Sequence, residues 1–244
     1  MREANIADYT EAYQYRKVPA SFSWPKDDAP VISRTFFSLA SIEKPKSLNA
    51  LVLGVGGPKA AKRIAEIFWE DISRGNSEDT LTMVDIRQFL QRDCDAVGED
   101  YLDRTFLLQE DARNLSFNDK SFNLVLTHCF FPCFKDEDLY KVLEEINRVT
   151  VDNGLGIHTF RSTSLFDRGL RKVWFTLNPK KAGCEYYDRT DSQMEELLNR
   201  SGYEIVNIRT MGRGFSDCEN LTLGCIKKEE HEIRKYSGGI YIVR

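Results

Sequence analysis

Asn49-Ala50-Leu51-Val52-Leu53-Gly54-Val55-Gly56-Gly57-Pro58-Lys59-Ala60-Ala61 decides the fold. A short apolar run enters a glycine turn, and the glycines open a helical pattern. That order is how a strand ends, bends sharply and starts a helix beneath a ligand. Pro58 suits the first helical position, where its missing N–H would have no partner anyway.

Downstream the pattern alternates between strand and helix, which predicts a parallel sheet with helices on both faces. After the turn, Ala61, Ile64, Ala65, Phe68 and Ile72 form an apolar helical stripe. Strands are predicted at 80–86, 104–109 and 122–127. Lys135-Asp136-Glu137-Asp138 opens the next helix with negative charge at its positive end. Leu139, Val142, Leu143, Ile146 and Val149 are its buried face, Asn153-Gly154 closes it, and strand five follows at 155–160. A helix capped by Thr190 or Asp191 and ended by Gly202 precedes strands at 203–209 and 221–225. An edge strand at 240–243 could extend the tail.

Three segments lie outside this rhythm. Residues 1–47, with Tyr9, Tyr13 and Tyr15, are expected to form an N-terminal helical extension, either packed on the sheet or closing over it. Residues 161–190 interleave Arg161, Arg168, Arg171 and Lys172 with Phe166, Trp174 and Phe175. They are expected to form a lid insertion, either a solvated face or a seat for an anionic or aromatic acceptor. Residues 228–244 form the C-terminal tail, which leaves 48–227 as the main domain.

The net charge of −4 over 244 residues does not favour nucleic acid as the main partner. No apolar run is long enough to span a bilayer, and the first residues lack the apolar core of a signal peptide. A soluble, cytoplasmic protein is expected, its six cysteines reduced. Cys129 and Cys133 follow His128, but no further ligands sit at metal spacing, so no metal site is expected. The dinucleotide fingerprint, counted from Gly54, fails at Lys59. The tyrosine–lysine spacing of a short-chain dehydrogenase occurs only at Tyr13 and Lys17, ahead of the glycines.

A second stretch is more specific. Asp111-Ala112-Arg113-Asn114-Leu115-Ser116-Phe117-Asn118-Asp119-Lys120-Ser121-Phe122-Asn123-Leu124-Val125 resembles the acidic-Ala loop and fourth strand of class I S-adenosylmethionine-dependent methyltransferases, particularly the small-molecule type-11 group. Ser116 replaces the usual proline and Asn123 the usual aspartate. Leu143 to Leu155 resembles the family's Leu-x-Glu-x-x-Arg-Val-Leu-x-Pro-Gly-Gly run.

The resemblance implies a Rossmann-like α/β fold with a seven-stranded, mostly parallel sheet. It implies S-adenosylmethionine as cofactor and a small-molecule acceptor methylated on oxygen or nitrogen. Gly54 and Gly56 would form the turn under the methionine part, and Asp85 would accept from both ribose hydroxyls. Asp111 and the Ala112 backbone would hold the adenine edge. Thr127 and His128 would face the methyl group, with His128 as the catalytic base for a protonated acceptor. Two departures stand out: Val52 occupies the position of the family's acidic residue, and Pro58 that of its third glycine. They leave open a second reading, a methyltransferase-like binding or regulatory module without turnover. A nicotinamide-dependent oxidoreductase is a third. Neither the acceptor nor the oligomeric state follows from the chain.

Overall fold

The computed structural model describes residues 46–73, 76–128, 130–161, 187, 189–211, 220–227 and 241–242. The expected N-terminal extension, lid insertion and most of the C-terminal tail therefore lie outside the described residues.

The described strands are β1 (Asn49–Leu53), β2 (Thr80–Asp85), β3 (Thr105–Gln109), β4 (Phe122–His128), β5 (Thr150–Arg161), β6 (Tyr203–Met211), β7 (Asn220–Lys227) and β8 (Tyr241–Ile242). They form one sheet in the order β3-β2-β1-β4-β5-β7-β6-β8. The strands β3-β2-β1-β4-β5 pair in parallel. β7 runs antiparallel to both β5 and β6. The expected seven strands are joined by an eighth, the two-residue β8, which pairs in parallel with β6.

Burial on both faces explains why these strands read as apolar runs rather than alternating ones. Ala50 and Val52 of β1 face one layer, with Ile64 and Phe68, while Leu51 and Leu53 face the other, with Val142 and Ile146. The first layer is α1 (Pro58–Glu66), its continuation as a π-helical stretch at Ile67–Ser73, α2 (Gln91–Val97) and α3 (Glu99–Leu102). The opposite layer is α4 (Asp136–Val149) and α5 (Asp191–Arg200). All five stripe residues predicted for the first helix are buried. Each large apolar side chain so buried contributes about 1.5–3 kcal/mol.

Thr190 caps α5, accepting from the Gln193 backbone N–H, and Gly202 follows at φ +86°. The boundary between α4 and β5 differs most from expectation. Asn153 and Gly154 do not close α4, which ends at Val149 and passes directly into β5. Thr150 pairs with Phe122, but the next β5 partner, of Leu124, is Leu155. The residues between them bulge out, with Asn153 at φ +61°.

Candidate active site

The strand tips of the parallel half meet above the sheet, where open α/β folds bind ligands. Backbone bonds lace them together: Gly54 N–H donates to Val84 at 2.9 Å, and Glu110 N–H to Asp85 at 3.0 Å. Gly54 and Gly56 adopt φ of +75° and +79°, conformations that disfavour side chains. The Phe130 ring lies directly against Gly54, so a side chain there would also collide with it. At Gly57 the turn is open: an added Cβ would meet no described atom within 4 Å.

Asp85 binds the turn. Its Oδ2 accepts from Gly56 N–H at 2.7 Å, and its Oδ1 accepts from Arg87 N–H at 3.0 Å. Burial raises the pKa of the carboxyl, against the two N–H bonds and the charge of Arg87. Each oxygen has taken one protein donor and keeps capacity for another, an arrangement that fits a vicinal diol. These acceptors, with the open turn at Gly57, fit the ribose end of an adenosyl ligand.

Asp111 stands on the loop beyond β3. Its carboxylate accepts from Arg113 Nε at 3.0 and 3.1 Å and from the guanidinium end at 2.7 Å. Burial pushes its pKa up, but the hydrogen bonds and charge of Arg113 outweigh that, leaving it below the usual range. Arg113 also reaches Asp138 on α4 at 3.4 Å. The Ala112 side chain is buried among Leu115 and Phe122, which leaves only its backbone for a ligand.

Strand alternation separates the other two expected residues. Thr127 lies on the α4 side, fully buried, sharing a 3.0 Å hydrogen bond with His158 Nδ1. His128, next along β4, lies on the α1 side with Leu124 and Leu126. The two side chains leave the carboxyl end of β4 on opposite faces of the sheet. Burial lowers the pKa of His128 to about 4 and that of His158 to about 3. Among the described residues, no group of three or more His, Cys, Asp or Glu is arranged to hold a metal ion.

The Glu-x-x-Arg run fastens the acidic-Ala loop. Glu145 accepts from Leu115 N–H at 2.7 Å, and Arg148 donates to the carbonyls of Leu115 and Phe117 and to Asp119. The Arg148 bonds hold the Glu145 carboxyl below its usual pKa.

Residues 51–154, which contain the glycine turn, Asp85, the acidic-Ala loop and its fastening, match a family model described as a methyltransferase domain. Across these residues the chain is similar to a methyltransferase domain.

Solved methyltransferases share this fold at low identity. An S-adenosylmethionine-dependent methyltransferase from Methanosarcina mazei is 16% identical, with a TM-score of 0.60 over 78% of this chain and 96% of that one. The 1,6-didemethyltoxoflavin-N1-methyltransferase of Burkholderia thailandensis, bound to 1,6-didemethyltoxoflavin and S-adenosylhomocysteine, is 12% identical with a TM-score of 0.65. It covers 92% of this chain and 87% of its own. Magnesium protoporphyrin IX methyltransferase from Synechocystis PCC 6803, bound to S-adenosylhomocysteine, is 13% identical at 0.60, over 93% and 95%. The search of curated proteins returned no match.

Three features of the site were not evident from the sequence: Arg87 beside Asp85, Phe130 over Gly54, and His158 beneath Thr127. Only Arg87 left a sequence signal, a cation two residues beyond the strand-end carboxylate.

Proposed function

We propose that the enzyme methylates a small-molecule acceptor on oxygen or nitrogen, binding the adenosyl group across the tips of β1, β2 and β3. The observation that carries this reading is Asp85, whose carboxylate is fixed by Gly56 and Arg87 and keeps, among the described residues, one further acceptor position on each oxygen. The small-molecule methyltransferases that share the fold support it, as does the type-11-like loop.

S-adenosylmethionine supplies a methyl group already activated on a sulfonium, so the protein's task is chiefly alignment. Alignment of that kind can lower a barrier by about 7–11 kcal/mol in favourable cases. In this reading Gly54 and Gly56 support the methionine end, and Asp85 takes the ribose hydroxyls. The Asp111 loop, anchored by Glu145 and Arg148, borders the adenine. Thr127 closes the floor. His128 is the candidate base; its lowered pKa keeps it neutral at pH 7 but makes it a weak proton acceptor. Selection of the acceptor is assigned to residues 1–47 and 161–190.

Incubation with methyl-labelled S-adenosylmethionine and a panel of phenolic, carboxylic and heteroaromatic acceptors tests the proposal. Label is expected in an acceptor, with stoichiometric S-adenosylhomocysteine. Label that moves only into protein or nucleic acid would refute the small-molecule reading.

A further inference from the structure

Asp85 is not the only group that fixes the glycine turn. The Gly56 peptide is held on both sides: its N–H by Asp85, and its carbonyl by Arg87 Nε at 2.6 Å. The rest of the Arg87 guanidinium is committed to Asp93 through a two-pronged pair, at 3.0 Å to Oδ2 and 2.7 Å to Oδ1. Its remaining bond goes to the Gln88 carbonyl, and the Phe89 ring lies 4.8 Å from the guanidinium carbon. Asp93 in turn accepts from Leu90 N–H at 2.8 Å. Arg87 is 2% exposed and Asp93 0%.

A buried ion pair seldom stabilises a fold better than apolar residues of the same volume. The geometry here does something apolar residues could not: it delivers one N–H donor to the carbonyl of a glycine in the ligand turn. It also sets a fixed positive charge beside Asp85. Val52 is buried in the α1 layer and Pro58 opens α1, so neither supplies a polar group to the turn. We propose that Arg87 and Asp93 are a positioning pair that holds the glycine turn and Asp85 in the geometry the adenosyl ligand requires. The inference rests on the methyltransferase reading of the site and deepens it.

The charges facing Asp85 are Arg87, which favours the carboxylate, and Asp93, which opposes it; the N–H groups of Gly56 and Arg87 also favour it. Removing the Arg87–Asp93 pair leaves Asp85 buried with less to oppose its protonation. A protonated Asp85 offers a diol fewer acceptors. Loss of the pair should therefore weaken adenosyl binding and make it sensitive to mild acid.

The test is calorimetric titration of the full chain with S-adenosylhomocysteine from pH 5.5 to 8.5, with Tm measured in parallel. Arg87→Met combined with Asp93→Leu removes both charges together and so leaves no orphaned buried ion. The double variant is expected to keep a Tm near that of the wild type. Its affinity should fall at least about tenfold at pH 7.5, and more steeply toward pH 5.5 than in the wild type. Wild-type affinity with an unchanged pH profile would overturn the proposal. Should the double variant not fold, Arg87→Lys decides: it keeps the charge but loses the fork. Weakened binding at a near-wild-type Tm then supports the pair, and unchanged binding overturns it. A wild-type protein that binds no S-adenosylhomocysteine would instead overturn the site reading itself, and the pair with it.

Discussion

His158→Asn should make the protein markedly less sensitive to acid. His158 is fully buried between Thr127, Phe131 and Tyr203, and burial lowers its pKa from 6.5 to about 3. His128 is similarly lowered, to about 4. The unfolded chain protonates both rings near pH 6.5 while the folded chain leaves them neutral. Their contribution is thus intact above that pH and lost as pH falls from 6.5 toward each folded value. At pH 5 each ring costs about 2 kcal/mol relative to pH 8, so the pair costs about 4 kcal/mol. That is a large share of a stability of about 5–15 kcal/mol.

Asparagine keeps an amide near the Nδ1 position for Thr127 but cannot take up the proton. Urea unfolding followed by circular dichroism at pH 8, 6.5 and 5 measures the difference. The variant should start less stable, having lost the ring contact with Phe131 at 4.9 Å. Its further loss between pH 8 and pH 5 should be about 2 kcal/mol smaller than the wild type's. Asp85, whose raised pKa gives the opposite slope, is common to both proteins and cancels. Equal losses in the two proteins would refute the buried-neutral placement of His158.

His128→Ala should lower kcat by roughly 100-fold, the low end for general-base loss, with S-adenosylhomocysteine affinity nearly unchanged; unaltered single-turnover rates would remove the base assignment. Gly54→Ala forces a side chain into a φ of +75° and against Phe130, and should cost about 1–3 kcal/mol in urea unfolding. A wild-type midpoint there would mean that Phe130 does not cover the turn. Arg148→Met frees the Leu115 and Phe117 carbonyls and Glu145, and should cost about 2 kcal/mol while loosening the Asp111 loop. Hydrogen exchange at Leu115 and Phe117 as slow as in the wild type would contradict that role.

The sheet was legible because its central strands are buried on both faces: Ala50–Leu53 and Leu124–Leu126 leave little alternative to parallel strands. The helices showed equally well through their apolar spacing, as at Ile64, Phe68 and Ile72. Boundaries that depend on partners were not legible. The bulge at Asn153 exists because β5 must pair with both Phe122 and Leu124, a constraint invisible from within the segment. The strand-end carboxylates could be found by position, but not what they bind. Nothing in the chain announces that Asp93, six residues past Arg87, folds back to grip it, or that Arg113 clasps Asp111. Thr127 and His128 look like a pair in sequence, yet the pleat of β4 sends them to opposite faces.

The central claim is that Asp85 grips an adenosyl ligand above the glycine turn. Titration of wild-type protein and Asp85→Asn with S-adenosylhomocysteine tests it most directly. The account predicts single-site binding by the wild type, weakened about 10- to 100-fold in the variant, as expected for one lost charged hydrogen bond. No binding by the wild type, or equal binding by both, would contradict it.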